Sequence, residues 1–128
     1  MIEDAAHRIT TYLREQIDDG LRTVVVLRPD RWAGIYLRSD LQETYDGGSY
    51  EDVLDTFRDG ETFDFDDEIG EIGQRRALVH YYEEAFVFLF PFDDGEVILV
   101  SVEADAGREL LMFIETCRRQ IYDDLEYQ

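Results

Sequence analysis

Residues 77–103 read ALVHYYEEAFVFLFPFDDGEVILVSVE, and this stretch decides the fold. It is built from β-branched and aromatic residues and divides into three strand-like runs, 77–82, 85–92 and 96–103. Asp93-Asp94-Gly95 is a strong turn signal, and Glu83-Glu84 is the expected two-residue turn. Because Glu-Glu is poor chemistry for a primed turn, one unbroken bent strand is the alternative. The stretch predicts a three-stranded antiparallel meander.

Upstream, the periodicity predicts a helix followed by a hairpin. The helix covers residues 3–19, with Gly20 as its C′ residue and with an apolar stripe formed by Ala6, Ile9, Leu13, Ile17 and Tyr12. Thr23 to Leu27 is apolar on both faces, which is typical of a central strand. Trp32 to Arg38 predicts the second strand, in which Ala33, Ile35 and Leu37 alternate with Trp32, Gly34 and Tyr36.

Two further helices complete the expected order. Ser49 and Asp52 approximate a capping box for a helix that ends near Asp59, whereas Glu61 to Gln74 is expected to be mostly loop, with at most one helical turn. After Asp105, the expected N-cap, an apolar stripe recurs at helical spacing: Leu110, Ile114, Cys117 and Ile121. Of these residues, Leu110, Ile114 and Ile121 are expected to pack against the central strand, Val24 to Leu27.

The element order is helix, two strands, helix, three strands, helix. No linker or internal repeat interrupts residues 1–128, so a single domain is predicted. The economical packing is an α/β protein of the α+β type, with one five-stranded antiparallel sheet and the first and last helices on one face.

This order resembles that of the roadblock, longin-like and profilin-like domains. In these domains a five-stranded antiparallel sheet lies between a pair of helices and the middle helix. Locally, four segments resemble a family of small uncharacterised haloarchaeal proteins: Leu37 to Tyr45, Tyr82 to Ala85, Phe90-Pro91 and Val102 to Asp105. The roadblock resemblance implies a non-catalytic dimer that regulates or scaffolds small GTPases and motors, with Trp32 to Arg38 and Ala77 to Tyr82 as the sheet edges. The haloarchaeal resemblance implies no activity.

The charge indicates a protein adapted to concentrated salt. The 12 cations are all arginine, against 31 acidic residues, and the formal net charge is -19. In dilute buffer that charge would oppose compaction, whereas at about 1 M salt the screening length falls to about 3 Å. With 45% hydrophobic residues the chain has enough apolar content to fold. We expect the cytoplasm of a salt-accumulating halophile.

The motifs predict no catalytic, cofactor or metal site. His7 and His80 lack a spacing that completes a triad, and Cys117 lies on an apolar helix face. Asp64 to Glu68 lacks the glycine and terminal glutamate of an EF-hand loop. There is no P-loop, since the chain has no lysine. We therefore expect that the protein is not an enzyme.

Membrane and nucleic acid are also unexpected partners. The first residues lack a basic and apolar leader, and the longest apolar run, 85–92, is too short to span a bilayer. The pairs Arg75-Arg76 and Arg118-Arg119 are diluted by acids, and a chain of net charge -19 should be repelled by phosphate backbones.

Two surfaces are candidates for function. The segment 77–82 carries no carboxylate although acids abound elsewhere, which predicts a paired strand edge, with the middle helix beside it. The candidate interface comprises Tyr50, Val53, Leu54, Phe57, Leu78, Val79, His80, Tyr81 and Tyr82. The second surface is a stripe at period two, Phe86, Phe88, Phe90 and Phe92, which is core if helices cover it and a pocket or partner surface if it is partly open.

Three functions remain open from the sequence. The first is a non-catalytic interaction or regulatory module that forms a homodimer or binds a protein partner through the sheet edge. The second is a small-molecule sensor with an aromatic-lined pocket, and the third is an acidic mimic of DNA. If a loop such as Glu61 to Gln74 covers the edge instead, the protein should be monomeric.

Overall fold

The computed structural model describes residues 2–44, 49–58, 68–92 and 95–112. Three helices have defined bounds, α1 (Ile2–Ile17), α2 (Ser39–Thr44) and α3 (Ser49–Arg58), and the chain is helical again over 108–112. The strands are β1 (Leu21–Leu27), β2 (Trp32–Leu37), β3 (Glu68–Ile69), β4 (Gly73–Gln74), β5 (Leu78–Tyr81), β6 (Ala85–Pro91) and β7 (Val97–Glu103).

Five strands form one antiparallel sheet in the order β2-β1-β7-β6-β5. The meander and the β1–β2 hairpin are confirmed, and they join through β1 and β7, which pair from Leu21 with Val102 to Leu27 with Val97. The two-residue turn is also confirmed, because Tyr82 and Ala85 exchange both backbone hydrogen bonds, at 2.8 and 3.3 Å. These pairings confirm the single five-stranded antiparallel sheet of the predicted α+β fold.

One face of the sheet packs against α1 and is called the α1 face. Ile2 and Ala6 of α1 are buried against Val24, Val26 and Phe86, and Leu110 and Leu111 of the last helical segment pack on the same cluster. The prediction that the first and last helices share a face is confirmed by these contacts. Ile114, Cys117 and Ile121 lie outside the described residues.

The opposite face packs against α3 and is called the α3 face. Leu54 is 1% exposed and lies against Val25, Leu27, Leu89 and Leu99, with Val53 at the border of the cluster. Since β1 is buried on both faces, its unbroken apolar run is explained.

Three expectations about the first 40 residues are wrong. Tyr12 is 56% exposed and does not widen the core stripe of α1. Gly20 has no positive φ; instead Asp18 takes φ 47°, and a Cβ at Gly20 would lie 2.8 Å from Cβ of Ala106. Gly20 is thus explained by close packing, not by a left-handed helix end. A bulge at Ile35 breaks the predicted alternation of β2, because Tyr36 pairs with Val24 whereas Gly34 pairs with Val25.

Other short elements were not expected. The helix α2 follows β2 directly and buries Leu41. Residues 68–74 form the small hairpin β3–β4 around a 3-10 turn, Gly70–Ile72, so the expected helical turn is present but the strands were missed. Asp105 does not begin a helix; it lies in the 3-10 turn Ala104–Gly107, after which 108–112 is helical.

Candidate functional site at the edge of β5

The outer edge of β5 is one boundary of the sheet. Strand β5 pairs with β6 in a regular register, from Leu78 opposite Leu89 to Tyr81 opposite Phe86. Since Tyr82 and Ala85 form a hydrogen-bonded pair, the bonded pairs recur at Leu78 and His80. The N–H and C=O of Val79 therefore point away from β6, toward the outer edge.

The side chain of Val79 is exposed as well. It lies on the α1 face, opposite Phe88, and 50% of its surface is accessible. Leu78 lies on the α3 face, opposite Leu89, and is half-buried in that core. Tyr82 is 49% exposed, and its ring stacks beside that of His80 at 6.3 Å. The edge thus presents apolar and aromatic groups on both faces, with no carboxylate between Ala77 and Tyr82.

The phenylalanine stripe runs from core to surface along β6. Phe86 has no exposed surface and stacks on Tyr81 at 4.8 Å, whereas Phe88 is half-buried. Phe90 is 41% exposed and Phe92 37%, and successive rings lie 6.1 and 6.3 Å apart from Phe86 to Phe90. The inner half is core, as one reading of the stripe expected, and the outer half opens onto the surface beside Val79.

The residues predicted for the middle helix lie elsewhere. Leu54 is buried and Val53 half-buried on the α3 face, so both contribute to the core of this chain. Tyr50 and Phe57 belong to α3, but the positions of their side chains lie outside the described part of the chain. The structure therefore brings together Val79, Phe88 and Phe90 on the α1 face, and Leu78, His80 and Tyr82 on the other side of β5, whereas Phe92 lies beyond the end of β6.

Charges of opposite sign flank β5. Arg75 and Arg76 precede the strand, and the exposed Glu83 and Glu84 form the turn that follows it. From sequence, these residues are interpreted as a basic pair and as a turn, and not as the two ends of one strand. The signal that was available is a neutral run of six residues with two cations before it and two anions after it.

Ion pairs hold the end of β2, the strand at the other edge of the sheet. The Arg38 guanidinium donates to both carboxylate oxygens of Asp40, at 2.7 and 3.1 Å, and to Glu103 at 2.8 Å, while Arg22 donates to Glu103 at 3.1 Å. The hydrogen bond from Arg38 lowers the pKa of Asp40, and the one from Arg28 lowers the pKa of Glu3. These contacts engage arginines in holding the end of β2 and the entry to α1.

The described residues offer little that resembles a reaction centre. The Oγ atoms of Ser101 and Thr23 lie 2.6 Å apart in the buried centre of the sheet, so that hydroxyl is already engaged. Among described residues no group of three or more His, Cys, Asp or Glu could hold a metal ion. A shallow hollow lies on the outer side of α1, lined by His7, Arg8, Thr11, Tyr12 and Glu15. Residues 64–67 of the predicted acidic cluster lie outside the residues that the structure describes.

The comparisons with known proteins place the chain in a family. Within the described ranges, no helix is long and apolar enough to cross a membrane. No curated protein matches the sequence significantly. Residues 7–122, which include every strand of the sheet and most of α1, match a family described as a domain of unknown function, DUF7522. The chain therefore belongs to the DUF7522 family of domains of unknown function.

Proposed function

We propose that this protein is a non-catalytic interaction or regulatory module of a salt-accumulating cell, which acts by pairing the outer edge of β5 with another chain. The observation that carries the proposal is Val79, whose side chain is half exposed and whose backbone groups point outward on an edge strand without carboxylates. In a chain of net charge -19, such a neutral edge is a surface on which a second acidic chain is not repelled.

Two further arguments support an interaction role. The position of β5 at the end of the strand order agrees with the arrangement that the roadblock resemblance implies for a dimerising domain. An all-arginine set of cations supports a cytoplasm rich in salt, where apolar association is strengthened and repulsion between acidic surfaces is screened.

A small-molecule sensor is the second candidate, because the outer phenylalanines are partly open. Phe90 and Phe92 keep more than a third of their surface in solvent and continue outward from the buried Phe86. A ligand pocket usually buries most of its occupant, whereas these two rings form an exposed strip at the end of β6. The strip therefore favours a flat protein surface over a small ligand.

The test is the molecular mass in molar salt, measured by light scattering on the wild type and on Val79→Glu. The single chain has a mass of 15.0 kDa, so a paired species should have about twice that mass. Val79→Glu would bury an unpaired carboxylate at the pairing edge and should weaken association by about a hundredfold or more. Since Val79 is half exposed, the circular dichroism of the separated chain should be unchanged.

The matched control is Gly34→Glu, which adds the same charge at an exposed position of the other edge strand, β2. Gly34→Glu should leave the molecular mass of the paired species unchanged. A paired species that survives Val79→Glu would overturn the proposal. So would a wild type that is monomeric and that retains the same proteins from a high-salt lysate as Val79→Glu does.

A further inference from the structure

We infer that the chain seated on β5 is a second copy of this protein, paired antiparallel about a twofold symmetry axis at Val79. The inference rests on the proposed function, since it identifies the occupant of the same edge. Three independent features of the described residues lead to it: the direction of the backbone groups, the charges at the two ends of the strand, and the side chains beside it.

The backbone fixes which registers can form. With Leu78 and His80 bonded to β6, the residues that point outward are Ala77, Val79 and Tyr81. Two antiparallel copies can pair only through residues that both point outward. An axis at Val79 pairs Val79 with itself, and Ala77 with Tyr81 of the second copy, twice. This register uses all three outward residues of each chain, whereas a shift of the axis to a neighbouring residue leaves part of them without an outward partner within the strand.

The flanking charges favour a copy of the same chain in the same register. With the axis at Val79, Arg75 lies directly opposite Glu83 of the second copy. Arg76 lies opposite Tyr82 and diagonal to Glu84, within reach of a long side chain. Symmetry repeats both contacts at the other end of the seam, the line along which the two β5 strands pair. Each chain thus contributes two cations and two anions, and each cation faces an anion of the second copy. An antiparallel partner complements β5 because the basic end of one strand meets the acidic end of the other.

The apolar side chains form continuous rows across the same seam. On the α1 face one row contains Phe88, Val79 and the same two residues of the second copy. The next row contains Phe90, Ala77 and Tyr81 of the second copy, since residue 90 continues the register opposite residue 77. The small side chain of Ala77 leaves room between two rings. Pairing would cover the exposed Val79 and shield Phe90, which is 41% exposed in the single chain.

The experiment reverses the charges at each end of the strand. Variant one is Arg75→Glu with Arg76→Glu, and variant two is Glu83→Arg with Glu84→Arg. Each variant alone places like charges at both ends of the seam and should weaken self-association by about tenfold or more. An equimolar mixture should form a mixed dimer of wild-type strength, because each basic pair again faces an acidic pair. Native mass spectrometry distinguishes the mixed dimer when one variant carries a mass tag.

A chain with all four substitutions provides the complementary test. It should pair with itself and not with the wild type. The matched control is Asp30→Arg with Arg31→Glu, which reverses an exposed ion pair at the β1–β2 turn and should not change association. The measurements are made at the lowest salt at which the wild type is still dimeric, because the screening length is only about 3 Å at 1 M.

Amide exchange of the wild type tests the same register without any substitution. The Val79 amide should gain protection as concentration rises, whereas the amides of Leu78 and His80, bonded to β6, should be protected throughout. If the mixture stays monomeric, or if Val79 gains no protection in the dimer, the inference is overturned. If in that case the wild type is dimeric and the Val79→Glu variant is monomeric, the proposed function stands. Only the register assigned to the second copy is then wrong. A wild type that stays monomeric in molar salt also overturns the second copy as occupant.

Discussion

The two edge strands of the sheet, β2 and β5, are equally free of charge but differ in shape and surroundings. Strand β2 contains the bulge at Ile35, and no large hydrophobic residue of β2 is exposed. Strand β5 pairs regularly with β6, and four of the seven exposed large hydrophobic residues within the described ranges lie in or beside this hairpin: Val79, Tyr82, Phe90 and Phe92.

The ends of the two strands differ as well. Arg31 and Arg38 bound β2, so an antiparallel pair of β2 strands would bring cations together at both ends. Arg76 and Glu83 bound β5, so the same pairing would bring opposite charges together. Neutrality alone therefore does not identify an interaction edge. A bulge and like-charged ends protect one edge from pairing, and their absence leaves the other available.

The largest expected effect is that of salt, which should act both on association of the chains and on the fold of the single chain. Lowering salt below about 0.5 M lengthens the range of carboxylate repulsion, so the dimer should separate first and the monomer should then lose its structure. Circular dichroism and light scattering through the same titration measure the two steps. If the thermal midpoint of the wild type is the same in dilute buffer and in about 3 M salt, the adaptation to salt is contradicted. The Val79→Glu monomer serves as the control, because its midpoint reports folding alone.

A smaller effect is expected from the tyrosine on each edge. Tyr81 of β5 stacks on the buried Phe86, whereas Tyr36 of β2 lies under the Arg14 guanidinium at 5.1 Å. In the Val79→Glu background, which should be monomeric, Tyr81→Ala should lower the free energy of unfolding by about 2–3 kcal/mol. Tyr36→Ala should lower it by about 1 kcal/mol. Equal losses in urea titrations would show that the inner side of the β5 edge is no better packed than that of β2.

The smallest effect concerns the carboxylate that holds the end of β2. The hydrogen bond from Arg38 lowers the pKa of Asp40, so this contact stabilises the fold above the pKa of an unfolded aspartate, about 3.9. The contribution is lost as the pH falls through the lower pKa of the folded state. Asp40→Asn should lower the thermal midpoint by about 1–3 °C at neutral pH, and the difference from wild type should vanish in acid. Asp30→Asn, which changes an exposed charge at the other end of β2, is the control and should show no such difference.

Most of the sheet could be predicted from sequence because buried positions are occupied by apolar residues, and their spacing along the chain shows which faces of a strand are covered. The run of valines in β1 marks a strand covered on both faces, and the alternation in β7 places Ile98 and Val100 on one face and Leu99 on the other. The turn at Glu83-Glu84 forms despite poor local chemistry, since β5 pairs with β6 over four residues and β6 is held in turn by its long pairing with β7.

The remaining features depend on contacts that no local pattern contains. The bulge at Ile35 is set by how β2 fits β1, and the requirement for Gly20 comes from Ala106, far along the chain. The period of two places the phenylalanine stripe on one face, but periodicity does not give the length over which helices cover that face. For the candidate site, the sequence identified Val79 and its neighbours, whereas the role of Arg75 and Glu83 depends on the direction in which a second strand would run.

The pairing of β1 with β7 also sets the timing of folding during synthesis. The Thr23 and Ser101 hydroxyls that meet at the centre of the sheet are separated by 78 positions in the chain. A ribosome adds about 5–20 residues per second, so β1 emerges roughly 4–16 s before its partner strand. Over that interval the run from Val24 to Leu27 has no sheet partner other than β2, although α1, which is made earlier, can cover Val24 and Val26. Early closure of the β1–β2 hairpin would leave β1 with one free edge instead of two until β7 is made.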